Sequence, residues 1–313
     1  MAFELKPNEP ASAGIMRNVK SQIEKAIRHL GGAKEGAAAR QPPAQETVEN
    51  AAIFEVRKCF KRVRSALRMA REELGDDFYR EENFWFRDAA RPLTQVRDAA
   101  VLVETAEKLR QELVRATGPA AFRKIRLALI ANQAEVRCRV LEEGQAFAKV
   151  EEAARRALAR LPQWGLRRNG WAAVESGLRR VYRQGHRALA LAAESPTVAN
   201  LHEWRKQTKY LRYELQLLEA AWPEPERELV ARTHQLATLL GEDHDLAVLR
   251  ETLAADPLPY GGHHILKNVF AVIDRHRADL ERQAFALGRE IYKDPPRAFV
   301  SRIQALMQYK EAA

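Results

Sequence analysis

The chain has 313 residues, 46% hydrophobic and 30% charged, a balance that fits a globular protein and excludes general disorder. Its 52 Lys and Arg outnumber 42 Asp and Glu for a net charge of +10, which favours nucleic acids, anionic membrane surfaces or phosphate polymers as partners without choosing among them. Cys59 and Cys138 form neither a disulfide framework nor a zinc spacing, residues 1–10 lack a signal-peptide core, and no apolar run nears the about 18 residues of a membrane span, so a soluble cytoplasmic protein is expected.

In chain order, a tail over 1–11 precedes sequence dominated by Ala, Leu, Arg and Glu, with Gly and Pro gathered into punctuation. Breaks are expected at 31–43, 75–77, 117–119, 161–170, 194–197, 222–225, 256–262 and 294–296. The segments between them read as helices, and no alternating strand pattern occurs. The Gly-Gly-Ala-Lys-Glu-Gly stretch opening the first break reads as a flexible segment over 31–45.

The helix after this break carries two parallel rows. Ile53, Val56, Phe60, Val63, Leu67, Ala70 and Leu74 make an apolar stripe at 3,4 spacing. Arg57, Lys61, Arg64, Arg68 and Arg71 repeat the spacing one residue on, about 100° round the helix, so the basic row borders the buried face. Like charges at i,i+3 and i,i+4 repel, and Glu55 is the only acid from Ile53 to Arg71.

The design returns after residue 200. Leu201, Trp204, Thr208, Leu211, Leu215 and Leu218 form a stripe flanked by Arg205, Lys209 and Arg212. Aligning the two helices puts Arg57 on Arg205, Lys61 on Lys209 and Arg64 on Arg212. Downstream, Arg97-Asp98 aligns with His244-Asp245, and Arg137-x-Arg139 with Arg275-x-Arg277. Three matches in one order indicate a tandem duplication, with repeats over 12–163 and 164–313.

These residues resemble the CHAD family, the conserved histidine α-helical domain. Its hallmark helix is matched by Leu201-His202-Glu203-Trp204-Arg205-Lys206-Gln207-Thr208-Lys209-Tyr210-Leu211-Arg212, and its second motif by Leu240-Gly241-Glu242-Asp243-His244-Asp245-Leu246-Ala247-Val248-Leu249. The first copy departs by placing Phe54 where the second has His202. The resemblance spans about residues 12–308, leaving no expected place for the CYTH triphosphatase that accompanies many such modules. It implies an all-α fold of two antiparallel, four-helix-type bundles related by pseudo-twofold symmetry. It also implies binding of inorganic polyphosphate along a basic surface or channel, and association with polyphosphate granules.

The expected polyphosphate contacts in the first half are Arg57, Lys58, Lys61, Arg62, Arg64, Arg68 and Arg97. In the second half they are His202, Arg205, Lys206, Lys209, Arg212 and His244, with Arg137, Arg139, Arg275 and Arg277 in second rank. Arginine suits the task because its planar fork holds two phosphate oxygens at once. Asp98 and Asp245 are expected to orient neighbouring cations. Both cysteines are expected in the core, and Trp85, Phe86, Trp164, Trp171, Trp204 and Trp222 read as packing rather than base-stacking platforms. A nucleic-acid-binding or scaffold protein is the second reading. A metal-dependent HD-type phosphohydrolase built on His202, His234 and His244-Asp245 is the third; His202 aligning with Phe54 and His244 with Arg97 counts against it, since neither replacement ligates a metal. No cofactor, metal or catalytic residue is therefore expected.

Overall fold

In the computed structural model, which describes residues 3–6, 9–38, 44–166, 168–219 and 224–311, the chain is all-helical, with no strand among the described residues. The long helices are α1 (Ala11–Ala38), α2 (Ala44–Met69), α4 (Asp76–Lys108), α6 (Pro119–Arg137) and α7 (Ala146–Arg160), then α8 (Glu175–Glu194), α9 (Val198–Leu218), α10 (Glu224–Ala255) and α11 (His263–Ile291), with α12 (Pro296–Glu311) last. Short helices α3 (Arg71–Leu74) and α5 (Arg110–Thr117) fill the first half, and a π-helical turn, Cys138–Glu143, follows α6.

The turns form where local chemistry allows them. Gly75 and Gly118 end α3 and α5 at φ 79° and 86°, a left-handed region that L side chains avoid. Thr197 caps α9, its hydroxyl accepting from the Asn200 N–H. One expected break is absent. Helix α1 continues through Gly31 and Gly32 to Ala38, because Leu30 and Ala33 on either side are buried and anchor it. The expected flexible segment is thus helical over 31–38 and again from Ala44; the rest of it, like positions 222 and 223 of the 222–225 break, lies outside the described residues. The N-terminal tail does not hang free: Phe3 and Leu5 are buried, and the Leu5 N–H donates to the Leu217 carbonyl at 2.7 Å.

Two apolar cores hold the helices, and each draws on both sides of the 161–170 joint. The larger unites the stripe of α2 with α1, α7, α8, α9 and the start of α12. The smaller joins the end of α4, α5 and α6 to the end of α10 and the start of α11. The halves share their cores instead of each enclosing its own. The α2 stripe from Ile53 to Ala70 and the whole α9 stripe are buried, as their periodicity requires.

Candidate functional site

Burying the two stripes brings the adjoining basic rows together. Helices α2 and α9 pack with Arg68 stacked over the Tyr210 ring, 3.5 Å from its centre, and the Ser65 hydroxyl 3.5 Å from the Tyr210 carbonyl. Helix α4 adds Thr94 and Asp98 to one side, and α10 adds His244 and Asp245 to the other. The result is a cleft of about 260 Å³ lined by Arg57, Lys61, Arg205 and His202 together with those four residues. Thr94 was not singled out in the sequence; it stands one helical turn before Asp98, and that spacing was the available signal.

The cleft is electrostatically unfinished. Among the described residues, neither Lys61 nor Lys209 has a carboxylate within ion-pair distance or a hydrogen-bond acceptor. Arg57 reaches Asp98 only at 3.9 Å, and its Nη1, like the Nε of Arg205, is buried without a partner. Asp245 forms no ion pair, so of the two aspartates expected to orient cations only Asp98 makes contact, and that at the limit of range. Burial, then Arg57 and Arg205, brings the Lys61 ammonium down to about 8. Burial, Arg205 and Lys61 hold Lys209 well below its ordinary value. Arg57 and Arg205 are likewise lowered, chiefly by burial. Partial enclosure raises Asp98 and Asp245 against the pull of the adjoining arginines. Positive charges thus outnumber the two aspartates in a partly desolvated space, a costly arrangement that an anion would relieve.

His202 and His244 meet across this cleft with their Nδ1 atoms 3.3 Å apart. Burial and neighbouring cations lower both, His244 to about 3. His244, the counterpart of Arg97, therefore lines the cleft as a neutral imidazole at neutral pH. The aligned pair in the first half also touches: Arg97 lies over the Phe54 ring, 5.9 Å from its centre, with Phe54 half exposed.

Other candidates divide by what already holds them. Arg64 donates to the Asn83 amide oxygen at 3.0 Å, Arg68 donates to the Arg64 carbonyl at 2.9 Å, and Arg212 lies over Tyr213; none meets a carboxylate. Arg62 turns away from the cleft to Gln22, Gln216 and the Phe3 ring. Lys58 pairs with Glu55, Lys206 with Glu203, and Arg97 forks onto Glu104 at 2.6 and 3.0 Å.

The second-rank arginines are placed elsewhere. Arg137 bridges Glu49 and Glu142, both at 2.7 Å, and Arg277 bridges Asp243 and Glu281 at 2.8 and 3.2 Å. Both act as clamps between helices. Arg139 and Arg275 are exposed and paired with Glu135 and Glu112. None of these four lines the cleft.

Cys59 is buried as expected, and burial raises its thiol to about 11. Cys138 is not a core residue: it lies half exposed in the π turn, its thiol facing Glu142 and Glu143. Trp204 is fully buried against Phe285, and Trp164 is buried too; Trp222 lies outside the described residues. Among the described residues, no group of three or more His, Cys, Asp or Glu converges to hold a metal ion, and no helix is long and apolar enough to cross a membrane.

A family profile described as "CHAD domain" matches residues 21–254. Among solved structures, the crystal structure of the CHAD domain from the plant Ricinus communis superposes with a TM-score of 0.51 at 17% identity, over 94% of this chain and 96% of that one. That likeness concerns the fold. No curated protein matches.

Proposed function

The chain belongs to the CHAD domain family, and from that premise we propose that it binds inorganic polyphosphate in the α2–α9 cleft, without chemical turnover. The observation that carries the reading is the convergence of Arg57, Lys61, Arg205 and Lys209 with so little carboxylate to neutralise them. An ordinary helix face resolves such repulsion with acids from its neighbours. This one leaves it standing, and a chain of phosphates supplies the missing charge at regular intervals. Arg57 and Arg205 offer guanidinium forks, Lys61 adds a point charge, Thr94 and the paired histidines add polar groups at the walls, and Lys209 adds its charge from beside Arg205 and Lys61. Release of condensed counterions would contribute much of the affinity.

The same geometry supports a duplication with pseudo-twofold symmetry. Residues that align in sequence lie close enough for one to lower the other's protonation, Arg205 that of Arg57 and Lys61 that of Lys209. The aligned pairs Phe54–Arg97 and His202–His244 each make an α2–α4 or α9–α10 contact. Association with polyphosphate granules follows as the cellular consequence of such binding. Reversing Arg57, Lys61 and Arg64 to Glu together tests the assignment: the triple variant should keep its helical circular dichroism and lose polyphosphate binding. Unaltered affinity in a folded triple variant would sink it.

A further inference from the structure

Beyond the cleft, the basic row of α2 does not stop at Arg64. Arg68 and Arg71 carry it into a second basin of about 240 Å³, where they meet Lys206, Tyr79 and Arg180 from α8. Arg180 lies across the junction, donating from Nη2 to the Arg68 carbonyl at 2.9 Å. It also lines a third and larger basin of about 660 Å³, with Arg179 and Arg183 of α8 and Arg297 at the start of α12. We propose that these two basins extend the polyanion path out of the cleft, so that one phosphate chain runs from Lys61 past Arg68 and Arg180 to Arg183 and Arg297.

Charge accounting separates this track from a merely solvated surface. Arg68 has only uncharged partners, and Arg180 donates to one backbone carbonyl. Arg183 and Arg297 are exposed and have no hydrogen bond or ion pair among the described residues. The acids present are mostly engaged: Asp76 holds Arg71, Glu175 holds Arg179, and Glu203 holds Lys206. Glu72 is the carboxylate in the outer basin, exposed and unpaired. Glu214 lies buried behind Arg68 and Arg180 with both oxygens lacking hydrogen-bond partners. Burial raises its carboxyl to about 8, so at neutral pH it cancels little of their charge. On α8 itself, Arg183 stands three and four residues from Arg180 and Arg179, a spacing at which like charges destabilise a helix. A ligand whose charge repeats along its length fits three linked basins better than a compact anion, which would fill one.

This inference rests on polyphosphate binding in the cleft, and the two can fail separately. The probes are tripolyphosphate, short enough to report on the cleft, and long-chain polyphosphate. The variant is Arg183→Glu with Arg297→Glu, two side chains with no protein partner to lose. Its control is Arg110→Glu with Arg123→Glu, the same charge change on exposed sites of the α5–α6 face. The track predicts that the α8–α12 variant loses at least about tenfold in long-chain affinity and nothing for tripolyphosphate, while the control loses neither. Unchanged long-chain affinity in the variant, or an equal loss in the control, would overturn the track while leaving the cleft intact. Wild-type protein that binds neither probe would overturn both.

Discussion

Arg57 and Arg137 are withdrawn from water to the same degree, with 14% and 15% of their side chains exposed. Arg137 is gripped by Glu49 and Glu142, which push its protonation above the ordinary range. Arg57 has one distant aspartate, an orphaned Nη1, and a protonation lowered by burial and by Arg97 and Arg205. Burial therefore does not distinguish a structural arginine from a binding one; the partners do. A clamp such as Arg137 or Arg277 has its counter-charge inside the protein. Among the described residues, cleft-side Lys61 has no carboxylate in ion-pair range and Arg57 has only Asp98 at its limit, and the fold bears that cost for a ligand that brings the missing charge.

Removing charge from each kind of residue should have opposite effects. Replacing Lys61 and Lys209 with Ala should weaken polyphosphate binding at least about 100-fold, two charge-assisted contacts of roughly 1.5–3 kcal/mol each. Because both lysines repel their neighbours, the same variant should melt no lower than wild type, a result calorimetry would show. Arg137→Ala should do the reverse. Taking one partner from a buried pair costs about 3–5 kcal/mol of stability, while affinity per folded molecule stays unchanged. A drop in stability for the lysine variant, or in affinity for Arg137→Ala, would erase the distinction.

Proton linkage sharpens it further. Folded Lys61 titrates near 8, below its ordinary 10.5, so between these values the unfolded chain holds a proton the folded chain has released. Its contribution to stability therefore rises with pH across that window. Affinity should fall across the same window, by up to about tenfold per pH unit, because the ligand requires the charged ammonium. Titrations of wild type and Lys61→Arg over pH 7.5–10 check this, since arginine keeps its charge and should flatten that part of the profile. Glu214 runs the opposite way: its raised carboxyl binds a proton that the unfolded chain gives up above about 4.5, so its contribution declines from there to about 8. Glu214→Gln should remove that decline.

The smallest effect belongs to Phe54. It sits half exposed between Lys58 and Arg97, whose charges lie 5.7 and 5.9 Å from the ring centre. Phe54→His should tighten binding by no more than about threefold at pH 6, where the added imidazole carries charge, and leave it unchanged at pH 8. A large gain would mean that the first-half position is a principal contact.

Much of this was legible in the sequence, and what was not has identifiable causes. The 3,4 spacing of Ile53 to Ala70 and of Leu201 to Leu218 locates the buried faces, and the basic rows one residue away follow from helix geometry. Periodicity says which face is buried but not against what, so the sharing of both cores across the 161–170 joint was hidden. The repeated Arg-x-Arg looked like the other basic matches because, of the two carboxylates that hold each clamp, Glu49 stands 88 residues from Arg137 and Asp243 stands 34 from Arg277. Gly31 and Gly32 read as a break by local preference, and buried Leu30 and Ala33 overrode it. The α8 arginines drew no notice, since their relation to α2 exists only once the helices pack.

The most direct test is a titration of the chain with long-chain polyphosphate and with duplex DNA at several salt concentrations, with released phosphate measured in the same tubes. Binding in the cleft predicts tight, salt-sensitive uptake of polyphosphate, weak competition by DNA at equal phosphate concentration, and no phosphate release. Weak polyphosphate binding, equal competition by DNA, or phosphate release that a chelator stops would contradict it.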